Sequence, residues 1–394
     1  MQQPDKLSQT YAQPNVVASQ TLGSSWVEIS KQAFLHNIAQ YKHVVGERDF
    51  AVVVKSNAYG HGIDAIAQLC ETSHAVQWMC TASLSEAVQL RRNGITKPLL
   101  VLSYIDADLT DAVMFDIDVV VYDHATLVHL HQAAQEMKKK ARVHIKVDTG
   151  LSRLGVAPDA AYALICAGRQ MPSLIINGIF THFAESEKTG KGFTEQQILQ
   201  MRMLKQRLAQ EAITIPYYHY SCSAALTVVE DKEYNFARMG LGVYGLWPSK
   251  ENKIITQKTY PDFTLLPVMT WKTKVVQVKQ VPAWSFVGYG RTHTTTRETL
   301  LAVLPVGYWE GYGRGLSNQA VVLVQGCYAP VLGRVSMNVM VIDVTDVPGV
   351  VVGTEVTLLG AQAQISAEAI AEKVGTINWE VVTRINPLLP RILI

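Results

Sequence analysis

Lys55 closes the apolar run Phe50-Ala51-Val52-Val53-Val54 and is followed by Ser56-Asn57-Ala58-Tyr59-Gly60-His61-Gly62. An ammonium is costly to bury, so ordinary lysines sit on wet faces. A lysine at the tip of an apolar strand loses part of its preference for the charged form. It is then available as an amine nucleophile or a base, most familiarly toward a carbonyl carbon. The same position would also suit a lysine that merely snorkels to solvent. Other apolar strands end in a similar way. Lys146 leads into Asp148-Thr149-Gly150-Leu151-Ser152-Arg153, and further strand ends carry Thr181-His182, His219-Tyr220-Ser221-Cys222-Ser223 and Arg238-Met239-Gly240-Leu241-Gly242. Polar groups recurring at strand ends describe a pocket rather than a wet surface. Gly240–Gly245 also matches the spacing of a dinucleotide-binding loop, but Leu246-Trp247-Pro248 follows where that loop needs a helix. The glycine backbone N–H groups suit a phosphate instead.

These groups need elements to position them. Short apolar strands are predicted at 50–54, 77–82, 98–103, 117–122, 141–147, 174–180, 217–221 and 236–244. Helical periodicity lies between most of them, at 31–45, 62–71, 84–93, 125–139, 158–169 and 194–211. Strand–helix alternation implies a parallel sheet. Eight such strands over about 200 residues suit a TIM-type (β/α)8 barrel better than an open doubly wound sheet, with chemistry at the C-terminal strand ends. Beyond Trp247-Pro248-Ser249 the chain becomes β-rich, with one helix over 366–374 set between a serine N-cap and a glycine stop. The expected organisation is a mobile tail over 1–25, a barrel over 26–247 and a mostly antiparallel β domain over 248–394.

The totals exclude several classes. A net charge of +2 gives no basic field for nucleic acid. No apolar run reaches the roughly 18 residues of a membrane helix, and the Gln/Ser-rich N-terminus lacks the apolar stretch of a secretory signal. The five cysteines are scattered without a C-x-x-C pair, which argues against disulfides and zinc and for a reducing, cytoplasmic compartment.

Taken in order, AVVVKSNAYGHG (51–62), KVDTGLSRLG (146–155), GIFTHFA (178–184), FARMGLGVYGL (236–246), GYGRT (288–292), LPVGYWEG (304–311) and GRVSMN (333–338) resemble the motifs of the alanine racemase family. These are fold-type III enzymes that use pyridoxal 5'-phosphate. The resemblance spans residues 26 to 391. It implies that Lys55 holds the cofactor covalently and moves a proton on one face of the substrate α-carbon. Tyr289 would be the base on the other face. A phenol is a poor base unless neighbours lower its pKa, and the family's network for this matches His182 and Arg238. Arg238 would face the pyridine nitrogen as a donor that keeps its proton. Tyr59, Ser223 and the N–H groups of Gly240 and Leu241 would bind the phosphate. Arg153 would bind the substrate carboxylate, oriented by Lys146, which the family carries in carbamylated form. Tyr308 and Met337 would line the carboxylate end of the site.

In the family Tyr289 reaches the site of a second subunit, so a head-to-tail homodimer with shared sites is implied. The implied reaction interconverts L- and D-alanine, supplying D-alanine for peptidoglycan in a bacterial cytosol. A broad-spectrum or serine/lysine racemase, a decarboxylase of the same barrel-plus-β plan (disfavoured by Arg238, where such enzymes place an acidic group) and a non-catalytic pyridoxal-phosphate carrier are the alternatives. Cys222, Asn338 and Pro387 depart from the family pattern, which touches substrate selectivity rather than the chemistry.

Overall fold

The computed structural model describes residues 23–187, 192–229 and 233–394. The segment expected to be a mobile tail lies, up to residue 22, outside the described residues. The first strand, β1 (Ser25–Ile29), is followed by β2 (Asp49–Val53), β3 (Trp78–Ser83), β4 (Leu99–Tyr104), β5 (Asp118–Val121), β6 (Ala141–Lys146), β7 (Leu174–Phe180), β8 (Tyr217–His219) and β9 (Phe236–Met239). Strands β2 to β9 form one parallel sheet in the order β8-β7-β6-β5-β4-β3-β2-β9. The N–H groups of Asn235 and Arg238 donate to the carbonyls of Tyr218 and Ser221, both at 3.2 Å, and bring the last strand back to β8. The sheet is therefore a nearly closed barrel, as the alternation of elements predicts.

Alternation along each strand sorts side chains between two cores. From β2, Phe50 and Val52 point outward into the large core under the helices, while Ala51 and Val53 join Trp78, Cys80, Leu100 and Phe236 inside the barrel. Burying each large apolar side chain contributes roughly 1.5–3 kcal/mol, so register is strongly held. The same alternation sends Val143, Ile145 and Val147 outward. It leaves His144 and Lys146 facing in, so the strands that deliver the outer core also deliver the polar groups.

The second sheet has nine strands and is mostly antiparallel. Its strand Met269–Lys274 pairs with β1, and β1 also pairs in parallel with Arg391–Leu393 near the C-terminus. Residues 26–29, grouped with the barrel on sequence, thus belong to this second sheet. The barrel edge is already taken by the β2–β9 pairing, so β1 finds its hydrogen bonds elsewhere. The predicted strand over 236–244 also ends sooner. At Gly240 the backbone leaves the extended region, and Leu241–Tyr244 form a 3-10 turn. The helix Ala367–Val374 has the cap expected of it: Ser366 accepts from the N–H of Ala369 at 3.2 Å, and Gly375 closes it in the left-handed region. Among the described residues, no helix is long and apolar enough to cross a membrane.

Candidate active site

A cavity of about 420 Å³ opens at the C-terminal ends of the barrel strands. Lys55, Tyr59, Lys146 and Arg153 line it from the β2 and β6 ends. His182, Ser223, Arg238, Gly240 and Leu241 line it from the β7, β8 and β9 ends. Nine residues singled out from the sequence thus meet in one space. Trp379 and Thr383, from the second domain's helix Asn378–Thr383, also line it.

The residues after Lys55 make an unusual turn. Ser56, Asn57, Ala58 and Tyr59 have φ of 55°, 55°, 52° and 53°, a complete left-handed turn without a glycine. Each costs roughly 1–2 kcal/mol in that conformation. Its neighbours hold it. The Asn57 side chain accepts from the N–H of Ile63 at 2.8 Å, and the Asn57 carbonyl accepts from Gly62 at 3.0 Å. Glu86 accepts from the N–H of Ser56 at 2.6 Å and of Ala82 at 2.8 Å. The guanidinium of Arg391, in the C-terminal strand, donates to the carbonyl of Gly60. The turn brings the Tyr59 ring beneath the amine of Lys55, 5.9 Å from Nζ to the ring centroid. It also sets the Tyr59 hydroxyl against Gly240, where a Cβ would lie 2.6 Å from it.

The electrostatics favour an anion. Burial and the nearby Arg153 guanidinium lower the pKa of Lys55, against a smaller opposing pull from Glu86. Burial, Arg238 and Arg153 bring Lys146 down to about 7, and its Nζ donates to the Leu102 carbonyl at 3.0 Å. Burial and the same two arginines hold His182 neutral, at about 3. Arg238 is buried and lowered to about 10 by that burial. Its guanidinium donates to the carbonyls of His219 and Thr181, each at 2.9 Å, and to the His219 ring nitrogen Nδ1. Among the described lining residues Glu187 is the one carboxylate, set against four lysine and arginine side chains. Ser223 Oγ accepts from the N–H groups of Gly240 and Gly242 at 3.0 and 3.3 Å, so hydroxyl and backbone donors cluster at one end. A Cβ on Gly242 would fall 1.9 Å from the Tyr41 hydroxyl, so the backbone can approach this closely only as glycine. An amine at one side, N–H and hydroxyl donors at another and a fixed guanidinium deep inside fit a phosphorylated aromatic aldehyde such as pyridoxal phosphate.

Comparison with known proteins agrees with this geometry. Residues 29–248 match the family model "Alanine racemase, N-terminal domain", and residues 268–393 match "Alanine racemase, C-terminal domain". The chain belongs to the alanine racemase family. It is similar to alanine racemase 2 of Caldanaerobacter subterraneus subsp. tengcongensis, at 37% identity over 93% of this chain and 94% of that one. It is equally similar to the alanine racemase of Halothermothrix orenii, at 37% over 93% and 96%. Among solved structures, the alanine racemase of Clostridium difficile 630 superposes with a TM-score of 0.89 at 30% identity, covering 95% of this chain and 97% of that one. The family is one of isomerases.

Three of the predicted residues do not reach the Lys55 cavity of their own chain. Tyr289, Tyr308 and Met337 line a separate surface pocket of about 430 Å³ in the second domain, with Arg314, Arg334 and Asn338. Tyr289 is 73% exposed there. Of the positions that depart from the alanine racemase pattern, Cys222 lines the cavity and Asn338 donates to Glu310 at 3.0 Å. Sequence reasoning placed His219 at a polar strand end without a role of its own, and assigned nothing to Glu86, Trp379 or Thr383. His219 carried a signal, since it ends β8 in phase with Tyr217. Glu86 and Trp379 carried none, because their reach into the site depends on packing between segments far apart in the chain.

Proposed function

We propose that this chain interconverts L- and D-alanine with pyridoxal 5'-phosphate held in the barrel mouth, as part of a homodimer in which each site is completed by the other subunit. The observation that carries the reading is the convergence of Lys55, Arg153 and Arg238 around one cavity, with the Ser223–Gly240 donor cluster at its edge. When bound, pyridoxal phosphate supplies the electron sink that makes an amino acid's α-proton removable. The rest falls to the chain. Tyr59, Ser223 and the N–H groups of Gly240 and Leu241 hold the phosphate. Lys55 bonds the cofactor and, with its lowered pKa, moves a proton at one face of the α-carbon. Arg238 faces the pyridine nitrogen as a donor, which limits the sink and disfavours side reactions. Arg153 takes the substrate carboxylate. Lys146, partly neutral at physiological pH, has the free amine that attack on carbon dioxide requires, and its carbamate would offset the surrounding positive charge.

Tyr289 of a second subunit is the proposed base on the opposite face, near Tyr308 and Met337 of that subunit. Its exposure on a pocket-lining surface of the second domain supports this, and so does the presence of that domain, which a bare barrel carrier would not need. The product would serve peptidoglycan synthesis in a bacterial cytosol. Racemisation rates for alanine, serine and lysine, measured side by side, test the substrate assignment. Alanine is expected to be fastest, and a preference for serine or lysine would overturn it.

A further inference from the structure

Inside the barrel, below the cavity, four side chains from separate strands form a single hydrogen-bonded column. Asp118 of β5, His144 of β6 and His219 of β8 are fully buried, and Arg238 of β9 is 4% exposed. Asp118 Oδ2 lies 3.2 Å from His144 Nε2, and His144 Nδ1 lies 2.9 Å from His219 Nε2. His219 Nδ1 in turn meets Arg238 Nη1.

The two ends fix the direction of every bond. A guanidinium only donates, so His219 Nδ1 must accept and its proton sits on Nε2. That proton is given to His144 Nδ1, so His144 also carries its proton on Nε2 and gives it to the carboxylate. Asp118 is held as an anion. Burial pulls its pKa up, but donation from His144 and Asn177 and the charge of Arg142 outweigh this and lower it. Arg142 Nε donates to Oδ1 and Asn177 Nδ2 to Oδ2, both at 2.6 Å. The rings cannot swing away. His219 stacks on Phe180 at 4.7 Å, and His144 packs against both Trp78 and Tyr217. Gly178 makes room for His144, since a Cβ there would be 2.1 Å from Nδ1.

We propose that Asp118 is a positioning residue for racemisation: through the proton positions of His144 and His219 it aims the Arg238 guanidinium at the cofactor's pyridine nitrogen. This rests on the reading that Arg238 faces that nitrogen. A remote carboxylate then sets the strength of a donor that it never touches, in the way outer partners tune metal-bound histidines.

The test has two arms. Nitrogen-resolved NMR of the histidine rings in the full-length chain, with and without pyridoxal phosphate, should show His144 and His219 protonated on Nε2 alone. A proton on Nδ1 of either ring overturns the inference, and this measurement needs no variant. In Asp118→Asn the new amide must turn its N–H toward either Arg142 or the His144–Asn177 pair, setting donor against donor. The expected result is a fall in kcat of about 10–100-fold with the alanine KM changed little, and altered visible absorbance of the bound cofactor. Asp118→Glu should recover part of the loss. A wild-type rate for Asp118→Asn in a racemising enzyme overturns the inference and leaves the proposed function standing. Absence of racemisation in the unmutated enzyme would sink that function, while the NMR arm still decides whether the column is built as described.

Discussion

An amine acts as a nucleophile or base only when neutral, and the barrel mouth favours that form at Lys55 and Lys146 through burial and neighbouring guanidinium groups. This has a thermodynamic consequence. Lys146 has a folded pKa near 7 against an ordinary value of 10.5. Between those values the unfolded chain binds the extra proton, so this group's destabilising contribution is full below pH 7 and fades as pH rises. Lys146→Met is therefore expected to stabilise the cofactor-free chain at neutral pH in carbon-dioxide-free buffer. Its advantage should shrink as pH approaches 10, as followed by urea midpoints at several pH values. A gain independent of pH would contradict the assignment. At the proposed opposite-face base, Tyr289→Phe should lower racemisation about 10²–10⁴-fold, the usual worth of a general base. Because the substitution leaves the residues proposed to hold the cofactor unchanged, pyridoxal phosphate binding measured by absorbance should persist.

Among the elements, the left-handed turn Ser56–Tyr59 is the one whose local cost is offset by the rest of the fold. Gly60 sits at φ 83°, and a Cβ there would be 2.2 Å from the carbonyl of Val382 in the helix Asn378–Thr383. Gly60→Ala should cost about 1–3 kcal/mol in stability and weaken cofactor binding, because the turn must shift away from that helix. Asn57→Ala removes the acceptor for the Ile63 N–H and should cost about 1 kcal/mol, seen as a lower melting temperature. The sequence announced a break after Lys55 through its glycines, but not the hand of the turn. Four non-glycine residues prefer right-handed conformations, and beside the local Asn57 bonds it is Glu86, Arg391 and the packed helix, all distant in sequence, that help reverse that preference. The barrel strands were legible because burial on both faces leaves short continuous apolar runs. β1 was not, since its partners lie more than two hundred residues away.

For the whole molecule, the proposed shared site makes a sharp prediction. Lys55→Ala and Tyr289→Phe chains, each inactive alone, should recover about a quarter of wild-type activity when mixed and allowed to exchange. Random pairing gives half heterodimers, each with one intact site of two. No recovery, in a mixture shown to contain heterodimers, would place both bases in one chain. The sequence by itself determined the two-domain plan and the identity of the barrel-mouth residues, because strand periodicity and short motifs are local and each motif carries its own chemistry. Only the tertiary structure decided that β1 and the C-terminal strand share the second sheet. It alone joined Asp118 to Arg238 through two histidines. Those relations depend on how a closed barrel brings separate strands side by side and how a second domain docks on it, and spacing along one strand holds no record of either.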